Sequence, residues 1–184
     1  EGFSVRMKSY TGLRGLFSFD ETVASLNEFD GFSLVSYGVI VASYDNFCNT
    51  YGADEDALFA AARQVTDNDN SAIKYVPVYN SDGTGANKYV NYDTRTFCVS
   101  LVNFPTEFTN SDVYMAGYAI WVDKNGNESY TITTYGDKAV NLYEITFGLT
   151  KTGVINSQNT DDKCFWQILK NGAFSVTESE VKAV

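Results

Sequence analysis

Histidine is absent from this 184-residue chain. That removes the commonest general base and the commonest metal ligand, and with them His-dependent triads and HExxH-type zinc sites. Cysteine is scarce, and Cys48, Cys98 and Cys164 show no CxxC spacing, so no zinc site is expected. One disulfide with a leftover thiol, in any of three pairings, stands beside a reading as three small buried hydrophobes; Cys98, inside an apolar run, favours the second. Positive charge is also short, with 13 Lys and Arg against 23 Asp and Glu for a net of −10. Phosphate backbones are held by clustered Lys and Arg, so nucleic acid is not an expected partner. No apolar run approaches the roughly 20 residues that span a bilayer, so membrane insertion is not expected either. Internal repeats and low-complexity linkers are missing, and the length suits one domain, 1–184, that buries roughly two-thirds of its unfolded surface. Within it, 149–184 is a candidate C-terminal appendage, because Gly, Asn, Ser and Thr become frequent there. The chain starts at Glu1 with no Met and no signal-like segment, which reads as a mature or excised piece.

What the chain has in quantity is aromatic and β-branched residues set between turn signals, including 13 Tyr and 13 Phe. Phe3 to Lys8 alternates apolar and polar residues as a half-buried strand does. Leu34 to Val41 is nearly continuous in apolar character, the pattern of a strand covered on both faces. Lys74 to Tyr79 contains Pro77, which cannot donate to a ladder, and is assigned to an edge. Arg95 to Asn103 aligns Phe97, Val99 and Leu101. Val113 to Val122 reads as a central strand, with Met115 and Trp121 on one face and Tyr118 and Ile120 on the other. Asn125-Gly126 turns it into Glu128 to Tyr135, whose Ser129/Thr131/Thr133 face is polar. Trp121 and Trp166 both read as core.

Helix signals are fewer. Ser18 to Glu21 has capping-box spacing, with Asp30-Gly31 as a stop. Asp54 to Val65 begins with acids and carries a Leu58, Ala61, Val65 stripe. Asp161 to Lys170 aligns Phe165, Ile168 and Leu169 before Asn171-Gly172. Lys138 to Phe147 fits a short helix and a strand equally. The sum is mainly β: an antiparallel β-sandwich with a few short helices.

Three tripeptides match, in order, the signatures of penicillin-recognising serine enzymes: Ser71-Ala72-Ile73-Lys74, Tyr89-Val90-Asn91 and Lys151-Thr152-Gly153. That chemistry needs Ser at a helix N-terminus with Lys one turn on. Here Ile73 to Val76 runs into a strand, so the enzyme is a third-ranked reading and no catalytic residue is assigned. Asp67 to Ser71 resembles half a calcium loop, but Ala72 stands where Gly is needed and Val78 where Glu is needed. A looser calcium site at Asp67 and Asp69 stays beside the reading as a solvated turn. No cofactor is expected.

Thr11-Gly12-Leu13-Arg14, then Val35-Ser36-Tyr37-Gly38-Val39-Ile40-Val41, then Tyr114-Met115-Ala116-Gly117-Tyr118-Ala119-Ile120-Trp121-Val122, occur in that order. This series resembles a β-rich accessory module of surface and secreted proteins of gut and rumen Firmicutes, over roughly Val5 to Thr146. Gly15 stands where that pattern has an aromatic, and Asp137-Lys138-Ala139-Val140 replaces the pair that opens its last helix. The resemblance implies a non-catalytic module, secreted or attached to the cell surface, beside catalytic or adhesive domains of a larger protein.

One surface reads as a ligand site. Tyr75 and Tyr79 share the strand face opposite Val76 and Val78, and Tyr89 and Tyr92 follow across a loop that carries Asp82 and precedes Asn91. If Lys74–Tyr79 paired with Lys88–Tyr92, one edge would present tyrosines among amides and a carboxylate. Sugars bind such edges, C–H faces on rings and hydroxyls on Asn and Asp. The expected partner is therefore a polysaccharide, or a host or cell-wall glycan, held by Tyr75, Tyr79, Asp82, Tyr89, Asn91 and Tyr92. The alternative is a structural or protein-interaction module in which these rings only pack.

Overall fold

A computed structural model describes residues 2–6, 12–20, 23, 27–66, 72–84, 90–91, 95–102, 108–134 and 139–151. In chain order these form β1 (Gly2–Arg6), β2 (Gly12–Phe17), β3 (Glu28–Phe29), β4 (Phe32–Ser43), α1 (Tyr44–Tyr51), α2 (Glu55–Ala62), β5 (Ile73–Asn80), β6 (Val90–Asn91), β7 (Thr96–Val102), β8 (Asp112–Asp123), β9 (Glu128–Thr133), β10 (Val140–Asn141) and α3 (Leu142–Lys151). The fold is the mainly β, antiparallel, sandwich-like one that the turn-punctuated strands predict, with a few short helices. The chain forms two compact units: Glu1–Gly2, Gly15–Val99 and Val113–Lys138 make the first, and Phe3–Arg14, Ser100–Asp112 and Ala139–Val184 the second.

The first unit is built on β4 and β8, twelve residues each, antiparallel from Phe32 opposite Asp123 to Ser43 opposite Val113. β5 lies on the far side of β4, β3 pairs with the start of β4, and β9 lies on the far side of β8. Both spine strands are buried along most of their length, which is why their sequences run apolar on both faces. One face of this sheet carries α1 and α2. On the other, Phe17 of β2 and Phe97 of β7 stack at 5.6 Å, and Phe97 reaches Tyr37 of β4 at 5.0 Å.

A register shift between Tyr37 and Gly38 bends β5 along β4. A Cβ at Gly38 would sit 2.1 Å from the Val76 carbonyl oxygen, so the close backbone approach at this bulge requires glycine.

Two local expectations change. The capping-box segment is not helical where it is described: Ser18 to Asp20 lack regular structure and Val23 sits in a turn. Its supposed stop, Asp30-Gly31, is the two-residue turn of the β3–β4 hairpin, with φ of 51° and 79°. Two positive φ values make a type I′ turn, the geometry that Asp-Gly favours most. Conversely, α1 forms where no helix is expected, although Tyr44, Phe47, Cys48 and Tyr51 of YDNFCNTY fall at i, i+3, i+4 and i+7 and turn one stripe to the core, with Phe47 fully buried. Its ends are well specified, with Ser43 Oγ accepting from Asn46 N at 3.1 Å and Gly52 closing in the left-handed conformation. α2 begins where its leading acids predict, and Asp54 proves to be its N-cap, with Oδ1 accepting from Asp56 N and Ala57 N at 2.9 and 3.1 Å. It ends at Ala62, three residues before the predicted limit, and buries Leu58, Phe59 and Ala62.

In the second unit the ambiguous Lys138–Phe147 segment is both things in turn, β10 and then α3. Asn141, 5% exposed, makes the switch. Its Oδ1 accepts from Tyr143 N at 2.9 Å and Glu144 N at 3.2 Å, and its Nδ2 donates to Asn110 and Asp112. The expected helix at Asp161 to Lys170, Trp166 with it, lies outside the described residues.

Candidate functional site: an aromatic cleft

Alternation along β8 sorts its side chains into two sets. Tyr114, Ala116, Tyr118 and Ile120 join Ile40 and Ala42 of β4 under Phe47 of α1 and Phe59 of α2. Large residues fill this face, and α2 is tied down over β9. Phe59 meets Tyr130 at 4.7 Å, the Tyr130 hydroxyl donates to Asp56 Oδ1 at 3.0 Å, and Arg63 forks onto both carboxylate oxygens of Glu128. The hydrogen bond to Asp56 raises the Tyr130 pKa above its ordinary value. Burial does the same for Tyr114 and Tyr118.

The other set, Met115, Gly117, Ala119 and Trp121, is small in its middle. A Cβ at Gly117 would lie 2.7 Å from Phe17 Cδ1, so this glycine leaves room for the Phe17 ring. Ala119 adds little bulk beside it. What remains above these two residues is a cleft of about 410 Å³ within the first unit. Phe17 and Phe97 form its buried base. Phe19 and Trp121, half-buried and edge-on to one another at 6.2 Å, form a wall. Phe29, 45% exposed, stands at the mouth. Ser18, Asp20, Thr131 and Thr133 supply polar atoms, the two threonines directly opposite Ala119 and Gly117 across the β8–β9 ladder. The cleft thus offers aromatic edges and faces beside hydroxyls and a carboxylate, in the size range of a small-molecule site.

Of the tyrosine edge expected from the sequence, Tyr75 and Tyr79 are not brought onto one face. The bulge puts Tyr75 opposite Ile40 and Tyr79 opposite Tyr37, on opposite faces of the sheet. Tyr75 stacks on Tyr118 at 5.0 Å and Tyr79 on Tyr37 at 5.1 Å, so both rings pack inward. Strict alternation from Tyr75 to Tyr79 fails because one extra residue is inserted between them. Among the described residues β6 pairs with β7, Asn91 opposite Thr96, and not with β5. Asp82 is exposed and accepts from Thr84 N at 2.8 Å and Thr84 Oγ1 at 2.6 Å, contacts that hold its carboxyl below the usual range. Tyr89 and Tyr92, and the side chain of Asn91, lie outside what is described.

Trp121 is half-buried in the cleft wall instead of closing a core. A signal for the cleft was present in Gly117-x-Ala119-x-Trp121: two small residues and an indole on one strand face leave space beside a large ring. Lys74 lies in β5 and Ser71 outside the described residues, as do Asp67, Asp69 and Cys164. Cys48 and Cys98 are half-buried. Among the described residues no group of three acidic or Cys side chains is placed to hold a metal ion, and no helix is long and apolar enough to cross a membrane. Comparison with family models, with curated proteins and with solved structures finds no match to this chain.

Proposed function

We propose that this chain is a non-catalytic accessory module of a secreted or surface-attached bacterial protein, and that it binds glycan in the aromatic cleft of its first unit. The observation that carries the reading is the pairing of Trp121 and Phe19 with Thr131, Thr133 and Asp20 around one cavity. Sugar rings present C–H faces that pack on aromatic rings and hydroxyls that both donate and accept hydrogen bonds. The module would then hold a polysaccharide, or a host or cell-wall glycan, near its neighbouring domains. A glycan array and affinity gels test this: binding is expected for the native chain and for Tyr130→Phe, which loses only the hydroxyl on the helix side. It should fall at least about tenfold in Phe19→Ala and Trp121→Ala.

A second reading is favoured by β9. Its six residues are mostly exposed and, among the described residues, it pairs only with β8. An edge of that kind can accept an added strand from a protein partner. Absence of binding to every glycan, with capture of an extended peptide that is blocked by Thr131→Pro, would select it.

A further inference from the structure

We infer that the cleft takes an uncharged hexopyranose unit and rejects the acidic counterpart of the same sugar, an inference that rests on the glycan reading above. Three observations carry it. The only charged side chain among the described lining residues is the carboxylate of Asp20; none of them is Lys or Arg. Acidic sugars and sulfated glycans are held by cationic side chains that fork onto their oxyanions, and the cleft supplies none from these residues. The buried Arg95 guanidinium is not part of the lining, and its Nη2 donates to Asn27 Oδ1. Second, the whole chain carries a net charge of −10, so an anion approaches against the field while a neutral ring does not. Third, the polar groups present suit hydroxyls. The Thr131 and Thr133 hydroxyls can each donate one hydrogen bond and accept others, and a carboxylate accepts several at once, so Asp20 can take a sugar hydroxyl beside the contact it already makes. Phe17, Phe97 and the Phe19–Trp121 wall leave the rest of the lining apolar, which matches the C–H face of a sugar and would desolvate an anion without a partner.

The test is a titration followed through the indole of Trp121, in a Trp166→Phe background so that one indole reports. The probes are disaccharides of neutral hexoses, each paired with glucuronate or galacturonate of matched stereochemistry. The expected result is saturable quenching by a neutral member, with the matched uronate at least about tenfold weaker, and a ratio that shrinks to about threefold or less in Asp20→Asn. A uronate that binds as tightly as its neutral partner overturns this inference and leaves the glycan reading standing. A ratio unchanged in Asp20→Asn overturns the role given to Asp20. Silence from every sugar, with the protein shown folded by its amide spectrum, overturns the glycan reading and this inference together.

Discussion

The two faces of the β5–β4–β8–β9 sheet are written by alternate residues of the same strands, yet one is closed and the other is cleft. On the helix side, Tyr114, Tyr118, Ile120 and Ile40 meet Phe47, Leu58 and Phe59, and Arg63 and Tyr130 fasten α2 to β9. On the opposite side Gly117 and Ala119 replace large residues, and the neighbouring aromatics line a cavity instead of filling it. Side-chain volume at two alternate positions of one strand therefore separates a closely packed face from one that keeps a cleft.

The largest expected effect comes from cutting the closed face. Phe59→Ala removes a ring that is 1% exposed and should lower stability by about 3–5 kcal/mol. Trp121→Ala, on the cleft face, should cost about 1–2 kcal/mol while removing sugar binding. Urea unfolding of the pair checks the comparison, and equal losses would mean that Trp121 is core after all. Two glycines sharpen the same contrast. Gly38→Ala drives a Cβ into the backbone of β5 and should cost about 3 kcal/mol, because a carbonyl in a ladder cannot step aside. In Gly117→Ala the three atoms nearest the new Cβ all belong to the Phe17 ring, which can rotate toward the cavity, so the cost should be nearer 1 kcal/mol while the cleft narrows and binding weakens. Thermal melts of the two variants side by side test the ranking.

Smaller effects lie at the rim. A double-mutant cycle over Arg63 and Glu128 should give a coupling under about 1 kcal/mol that fades with salt, since both side chains are over a third exposed. The smallest concerns the β8–β9 turn. Hydrogen bonds from Asn127, and then from Asn125, hold the Asp123 carboxyl below its ordinary value. A lowered folded pKa stabilises fully above the unfolded value of about 4, and that contribution is lost as pH falls through the lowered one. Asp123→Asn should therefore flatten the decline in stability below about pH 4 and leave its shape near neutrality unchanged, as urea midpoints across pH would record.

How much of this was legible follows from the range of each signal. Strand identity was readable wherever pattern and turn residue agreed, as in Val113 to Val122 followed by Asn125-Gly126. The start of α2 was readable from its leading acids and its Leu58, Ala61, Val65 stripe. Asp30-Gly31 was misread because Ser18 and Glu21 offered a helix start nearby, and the turn's two positive φ values show only in the folded chain. The shared face expected for Tyr75 and Tyr79 failed at a single point. The inserted residue at the Tyr37/Gly38 shift is invisible to a period-two pattern, and it sends Tyr75 and Tyr79 to opposite faces. The cleft could not be read in full, because Phe17, Phe19, Phe97 and Trp121 converge from three separate stretches of chain. Only the Gly117–Ala119 gap was local.

The central claim, that one face of this sheet binds and the other only packs, is tested most directly by methyl NMR during titration with a glycan found on the array. Ala119, Thr131 and Thr133 point to the cleft, while Ala116, Ile120 and Ile132 lie on the same two strands toward the helices. Shifts confined to the first three methyls are the predicted result. Shifts of Ala116, Ile120 and Ile132 with the others unmoved would contradict the account.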